Sequence, residues 1–260
     1  MIFAWQGFQI EHPDDWAPAL ISGSRQEGYA RIASPEAASY QIRWREAKKG
    51  TNLRRNLDEY LSKLSKDAKK LKTKFTSQVD EVDGNLIYKW TGAGNGKGAL
   101  LDEGGRTFFL EASSTSNKSI QNAFRDLHHS FRLAEGEREL WSVFGLSASL
   151  RPGLQVDKQL FHSGRTRVEW RDRKGRIIAE RWGFGEQILA KHAFEEWAKN
   201  SMAMSKAKVK VVESGLELEQ SKLLLKMYGL ARFDAEQNQL TTLKVTSRSS
   251  KERPAWDWLT

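Results

Sequence analysis

The chain has 260 residues, 39% of them hydrophobic and 29% charged, a balance that suits a folded globular protein and excludes a disordered one. It holds no cysteine, which excludes disulfides, thiolate metal sites and cysteine catalysis. The net charge is +9, and 10 Trp with 12 Phe supply the apolar area for a sizeable core.

The opening residues, Met1 to Gly7, lack a basic segment followed by an apolar run, so no signal peptide is expected. No stretch approaches the ~18 apolar residues of a membrane helix, so no membrane span is expected. Together with the missing cysteines this places the chain in the cytoplasm as an expectation.

In chain order, Gly7-Phe8-Gln9-Ile10 reads as a short strand, and His12-Pro13-Asp14-Asp15 as a turn leading to Trp16. Gly28–Ala33 and Tyr40–Trp44 alternate at period two and read as strands. Leu57, Tyr60, Leu61, Leu64, Ala68 and Leu71 form one stripe at the 3.6-residue period, which predicts a helix. Strands follow near Phe75–Val82 and Leu86–Trp90. Thr91–Gly98 reads as a glycine-rich hairpin connection whose glycines supply positive φ. A strand near Thr107–Ala112 and a closing helix over Ser119–His129 complete the first half.

The second half repeats this order. Gly164–Trp170 matches the glycine-led strand, and Ile177–Trp182 ends in Trp as Tyr40–Trp44 does. One helix carries Leu189, Ala193, Phe194 and Trp197. Strands follow near Val209–Val212, Leu216–Glu219 and Leu223–Tyr228, and Leu240–Val245 matches Thr107–Ala112. Pro254 leaves no room for a long second closing helix. The expected fold is therefore α+β, as a tandem repeat of two units, each an antiparallel sheet flanked by helices. The first unit spans residues 1–133 and the second, diverged copy spans 139–260, joined by the polar linker Ala134–Arg138.

The Phe8-Gln9-Ile10, His12-Pro13, Trp16 opening resembles the start of PsbP-like and DcrB-like domains. The closing Arg125-Asp126-Leu127 with Ser130-Phe131-Arg132-Leu133 resembles their last helix and terminal strand. The likeness covers residues 5–133, and 141–260 by element order alone. In the second half Arg151-Pro152-Gly153-Leu154 lacks the family's Trp. The resemblance implies an antiparallel sheet covered by helices on both sides. Its members bind proteins: a photosystem subunit, a Ran-binding import factor, chaperones for secreted toxins. It implies no catalytic residue.

Local motifs for chemistry fail in detail. Thr91–Gly98 has Thr where a phosphate loop needs its first Gly, and Gly98 where it needs Ser or Thr. His128 and His129 are adjacent, so on a helix they point about 100° apart and do not converge on one ion. Asp14-Asp15 and Glu195-Glu196 are paired in sequence only, and no Gly-x-Ser-x-Gly elbow occurs. No enzyme, cofactor or metal is expected.

Charge is the remaining signal. Residues 48–74 hold ten Lys and Arg against three acids, Asp58, Glu59 and Asp67. Arg54, Arg55, Lys63, Lys66, Lys70 and Lys74 are the candidate contact residues, the four lysines recurring at i, i+3, i+7 and i+11 as one ridge. Trp256 and Trp258, near the last residue, are candidates for capping the second unit or entering a partner. The leading functional expectation is a non-catalytic protein-binding or chaperone-like module, and the basic face suits an acidic protein as partner. The alternatives are a nucleic-acid-associated protein using the basic helix, and an enzyme with a site between the units.

Overall fold

The computed structural model describes residues 1–48, 50, 52–116, 120–248 and 253–259. The chain divides into two compact units, Met1–Leu133 and Ala134–Thr260.

The first unit opens with the hairpin β1 (Ile2–Trp5) and β2 (Phe8–Glu11), joined by Gln6-Gly7, both at positive φ. Its large sheet is made of β3 (Ala17–Gly23), β4 (Glu27–Ala33), β5 (Ala38–Glu46), β6 (Thr76–Val82), β7 (Asn85–Thr91), β8 (Asn95–Glu103) and β9 (Arg106–Ser114). The strand order is β3-β4-β5-β9-β8-β7-β6, antiparallel throughout. Helix α1 (Leu53–Lys70) runs between β5 and β6. Helix α2 (Gln121–Ser130) follows β9, and β10 (Arg132–Leu133) adds to β2.

The second unit opens with the hairpin β11 (Glu139–Val143) and β12 (Leu146–Leu150). Its large sheet comprises β13 (Gln155–His162), β14 (Arg165–Arg171), β15 (Gly175–Gly183), β16 (Lys208–Val212), β17 (Gly215–Lys222), β18 (Leu225–Asp234) and β19 (Gln239–Ser247). The order is β13-β14-β15-β19-β18-β17-β16. Helices α3 (Gly185–Leu189) and α4 (Phe194–Ser201) lie between β15 and β16. A 3-10 turn covers Trp256–Trp258, and Leu259 bridges to Ala148.

Strands occupy 53% of the chain and helices 18%. This overturns the α+β expectation: the fold is mostly β, and the few helices cover only parts of the sheets. The reason lies in strands whose sequences hide their alternation. β3 contains Pro18, which a ladder tolerates because β3 is an edge strand. β13 is also an edge and carries five polar or charged residues in eight. The single helix expected across Leu189–Trp197 is two helices, broken at Ala190–Ala193. The closing helix begins at Gln121; Ser119 lies outside the described residues.

Thr91–Gly98 corrects another expectation. Only Gly92–Gly94 connects the strands, and Asn95 onward is β8. None of Gly92, Gly94, Gly96 and Gly98 has positive φ. These glycines serve close approach instead. A Cβ at Gly96 would lie 2.3 Å from the Trp90 indole, and one at Gly98 would lie 2.4 Å from the Tyr88 ring. Trp90 and Tyr88 are the cross-strand partners of those glycines, so each ring lies flat over a bare backbone.

The first unit's core joins the small hairpin to the large sheet. Phe8 meets Trp44 at 5.1 Å, Phe108 at 5.7 Å and Phe131 at 6.1 Å between ring centroids. In the second unit Trp141 meets Trp170 edge-on at 5.4 Å. Trp44 and Trp182, matched from sequence, have different surroundings. Trp44 is buried on Phe8 and donates its indole N–H to Ser24 O, whereas Trp182 packs on Trp197 of α4.

Candidate functional site

The basic region forms α1. Asn52 caps its start, the Oδ1 accepting from Arg55 N–H at 2.9 Å. Leu57, Leu61 and Ala68 are buried, and the two leucines pack with Leu86, Tyr88 and Leu100 of the sheet. The helix ends where Thr73 N–H reaches back to Ala68 O, with Lys72 at φ 56° in the left-handed position usually given to glycine.

A buried carboxylate holds the helix to the sheet. Glu111, in the middle of β9, is 3% exposed. Its Oε2 accepts from Tyr60 Oη of α1 at 2.8 Å, from Tyr88 Oη at 3.0 Å and from Trp90 Nε1 at 3.0 Å. Burial pushes the Glu111 carboxyl up from its usual range; the three hydrogen bonds and the charge of Arg43 oppose that rise. Burial and the neighbouring Glu111 charge push both tyrosine hydroxyls well up as well. The Arg43 guanidinium sits 4.9 Å over the Tyr60 ring, a cation–π contact on the outer side of the anchor. Sequence reasoning missed Glu111. The available signal was one acid in the otherwise apolar run Phe108–Ala112, with Tyr and Trp alternating as Tyr88 and Trp90 two strands away.

The solvent face of α1 is less charged than its composition. Arg54 pairs with Asp58 at 3.1 Å, Arg55 with Glu59 at 3.1 Å, and Lys70 with Asp67 at 2.8 Å, all exposed. Lys63, Lys66 and Lys69 are exposed and without an ion pair among the described residues, as are Lys72 and Lys74 just beyond the helix. At 100° per residue, Lys63, Lys66 and Lys70 lie on the side opposite the buried stripe. Lys74 leaves the predicted ridge because the helix stops at Lys70. Lys49 lies outside the described residues. A cavity of about 260 Å³ beside the helix is lined by Arg43, Arg45, Asn56, Glu59, Tyr60 and Lys63.

Trp256 and Trp258 are half-buried on their own unit. Trp256 donates to Glu217 Oε1 at 3.3 Å, and its ring lies over Gly215, whose added Cβ would meet it at 3.1 Å. Arg138 stacks on Trp258 at 5.6 Å and pairs with Asp257 at 3.1 Å. These contacts hold both side chains against the second unit.

Elsewhere, His128 stacks on Phe124 at 5.6 Å, and burial, then His129, lower its pKa. Among the described residues no three His, Asp or Glu are grouped to hold a metal ion. A cavity of about 590 Å³ lies at the glycine-rich stretch, lined by polar groups that include Gln78, Lys89, Asn95, Lys97 and Gln121. No helix among the described residues is long and apolar enough to cross a membrane.

The second unit holds a buried charge cluster that the sequence reading also missed. Glu180 accepts from Arg165 at 2.9 Å, from Trp182 Nε1 at 3.0 Å and from Arg167, and Glu169 pairs with Arg167 and Arg176. Arg165 stacks on Trp182 at 4.1 Å. The signal was the alternation Arg165-Thr166-Arg167-Val168-Glu169, which puts three charges on one sheet face. Burial, then Arg176 and Arg167, lower the pKa of Lys244 beside the cluster.

No family model matches the chain, and no curated protein matches it. Among solved structures, one from Bacteroides thetaiotaomicron VPI-5482 is 14% identical with a TM-score of 0.31, over 52% of this chain and 50% of that one. The chain thus spans about half the length of that neighbour. DynU16, from the dynemicin biosynthetic locus, is 9% identical with a TM-score of 0.14, over 89% of this chain and 87% of that one. Neither likeness is close enough to argue from. The comparisons give no support for the PsbP-like and DcrB-like resemblance, and the mostly β architecture departs from the sheet covered on both sides that it implied. Nor do they support common descent of the two units, whose large sheets share one strand order.

Proposed function

We propose that the protein is a non-catalytic binding module whose first unit takes an acidic protein segment along α1. The observation that carries this reading is the combination of an unneutralised lysine face with a helix anchored from beneath. Lys63, Lys66 and Lys69 face solvent without an ion pair among the described residues, while Tyr60, one turn before Lys63, ties the helix to Glu111 at 2.8 Å. A helix fixed to its sheet presents those charges at set spacing, so a partner has less ordering entropy to offset. Unpaired surface cations attract an acidic chain by field and steer its approach. From Lys63 to Lys69 the helix carries no aromatic side chain, and single-stranded nucleic acid is gripped by stacking as well as charge. That favours the protein reading over the nucleic-acid one.

The test uses fluorescence anisotropy with a labelled Asp/Glu-rich peptide and, in parallel, a labelled single-stranded oligonucleotide. Expected is binding of the peptide that weakens with salt and falls by at least about tenfold in Lys63→Glu/Lys66→Glu, each lost contact contributing on the order of 1 kcal/mol. Absence of peptide binding at low salt, or binding indifferent to the charge reversal, refutes the proposal. Tighter binding of the oligonucleotide than of the peptide transfers the face to nucleic acid.

A further inference from the structure

Of the seven two-residue hairpin turns among the described residues, four follow one pattern, while Ser163-Gly164, Glu213-Ser214 and the turn between β17 and β18 depart from it. Gln6-Gly7, Asp83-Gly84, Gly104-Gly105 and Phe144-Gly145 each link two paired strands, and in each both residues have positive φ and the second is glycine. This is the turn that matches strand twist, and glycine is the residue it asks for. Between β17 and β18, where Lys222 pairs with Leu225, the two turn residues are Leu223 and Leu224. Leu223 has φ 54°, a conformation that costs a leucine and is nearly free for Gly or Asn. The same two side chains are the most exposed large apolar residues described, at 97% and 83%, and Leu225 follows at 40%. Folding gains nothing from leucine at these positions: the side chains bury no surface, and the first sits in an unfavourable backbone conformation.

The surroundings give the tip a sign. Lys222 and Lys226 flank it in the hairpin, and Lys226 Nζ donates to Ser221 Oγ at 3.0 Å. Lys206 and Lys208 share with Lys222 the lining of a cavity of about 740 Å³ just behind the tip. The acid in that lining is Glu219, the cross-strand partner of Lys208. Four lysines against one glutamate thus collar an apolar point.

We propose that this hairpin tip inserts Leu223 and Leu224 into an anionic lipid surface, while Lys206, Lys208, Lys222 and Lys226 engage the headgroup phosphates. A convex two-residue projection offers far less area than the roughly 1,200 Å² of a specific protein interface. A fluid acyl layer closes around a point without needing a matching pocket. Apolar insertion combined with basic attraction is the two-signal arrangement that holds peripheral proteins on membranes.

The experiment is co-sedimentation of the full chain with vesicles of phosphatidylcholine alone and of phosphatidylcholine with about 30 mol% phosphatidylserine, at low salt. Expected is sedimentation with the anionic vesicles and little with the neutral ones. Leu223→Asn/Leu224→Gly installs the preferred turn, so its unfolding temperature stays at or above that of the unaltered chain while the bound fraction drops by about tenfold or more. Lys206→Glu/Lys222→Glu lowers binding in the same direction, whereas Lys63→Glu/Lys66→Glu on α1 leaves most of it intact. That last variant keeps this proposal separable from the one for α1. The idea fails if anionic vesicles leave the protein in the supernatant, or if the Asn-Gly turn binds as well as the leucines do. It also fails if sedimentation velocity shows a dimer that the Asn-Gly turn dissociates, because the tip is then a contact between copies.

Discussion

Replacing Tyr60 with Phe removes one oxygen and leaves the rest of the anchor in place. The ring keeps its edge contacts with Tyr88 at 6.1 Å and Phe109 at 5.8 Å, and Arg43 stays over its face. What disappears is the 2.8 Å bond to Glu111. The carboxylate keeps Tyr88 and Trp90, so it is not stripped of donors. A single hydrogen bond to a charged acceptor contributes about 1.5–3 kcal/mol, and partial compensation by the remaining pair puts the expected loss near 1–2 kcal/mol. Glu111→Ala acts differently. It orphans the buried Tyr88 hydroxyl and the half-buried Tyr60 and Trp90 donors, at about 1–3 kcal/mol for a buried donor and less for the others, and opens a cavity, for an expected loss of about 4 kcal/mol. Urea unfolding followed by Trp fluorescence measures both, and the double variant gives the coupling energy. With Glu111 already Ala, Tyr60→Phe is expected to cost roughly 1 kcal/mol less than it does alone. A Tyr60→Phe loss below about 0.5 kcal/mol, or strictly additive effects, would refute Glu111 as the tie between α1 and its sheet.

Three further outcomes follow from the packing and the charges. The folded pKa of Glu111 is raised, so at pH values between the ordinary carboxylate range and the raised value the folded state holds a proton that the unfolded state has released. Its contribution to stability is therefore present at low pH and lost as pH climbs from the ordinary carboxylate range through the raised value. Glu111→Gln removes that dependence, and the stability difference between Gln and Glu chains should shift toward Gln as pH rises; a flat difference in pH-resolved urea titrations counts against it. Gly98→Ala places a Cβ 2.4 Å from the Tyr88 ring and 2.6 Å from Leu110 O, and the second is backbone that does not yield. The expected loss is about 1–3 kcal/mol by thermal unfolding, and a neutral result contradicts the close-approach reading. Glu180→Ala leaves Arg165 and Arg167 without that counter-charge and Trp182 Nε1 without its acceptor. A loss of about 2–3 kcal/mol is expected in calorimetry, because the arginines left behind are only partly buried and Arg167 keeps Glu169; a loss under about 1 kcal/mol places the cluster effectively in water.

Local periodicity was legible from residues alone. The stripe Leu57, Leu61, Ala68 specifies a helix and its buried side, because side chains at 3.6-residue spacing share a face whatever lies beneath them. The alternation in Tyr40–Trp44 and Thr107–Ala112 specifies strands in the same way. Strands without alternation stayed hidden. β8 begins Asn-Gly-Lys-Gly, which is turn chemistry when read locally. It becomes a strand because Trp90 and Tyr88 on the neighbouring strand need bare backbone to lie against, a requirement set from outside the segment. Counting such segments as loops made the helices look like half of an α+β fold.

The charges divide along the same line. Composition showed that residues 48–74 are basic. Only the fold decided which cations stay unpaired, because Arg54, Arg55 and Lys70 find acids at helical spacing while Lys63 and Lys66 do not. Lys74 left the ridge through a helix end at Lys70 that the apolar stripe, running on to Leu71, did not mark. Glu111 shows the limit most clearly. A single acid in a strand says nothing by itself of its partners, since Tyr60, Tyr88 and Trp90 lie 51, 23 and 21 residues away in sequence. Sheet register brings Tyr88 and Trp90 within 3.0 Å, and the packing of α1 on the sheet brings Tyr60; register is a property of the whole ladder. Periodicity along the chain therefore determined which segments are amphipathic, and the pairing of distant strands decided which polar groups meet.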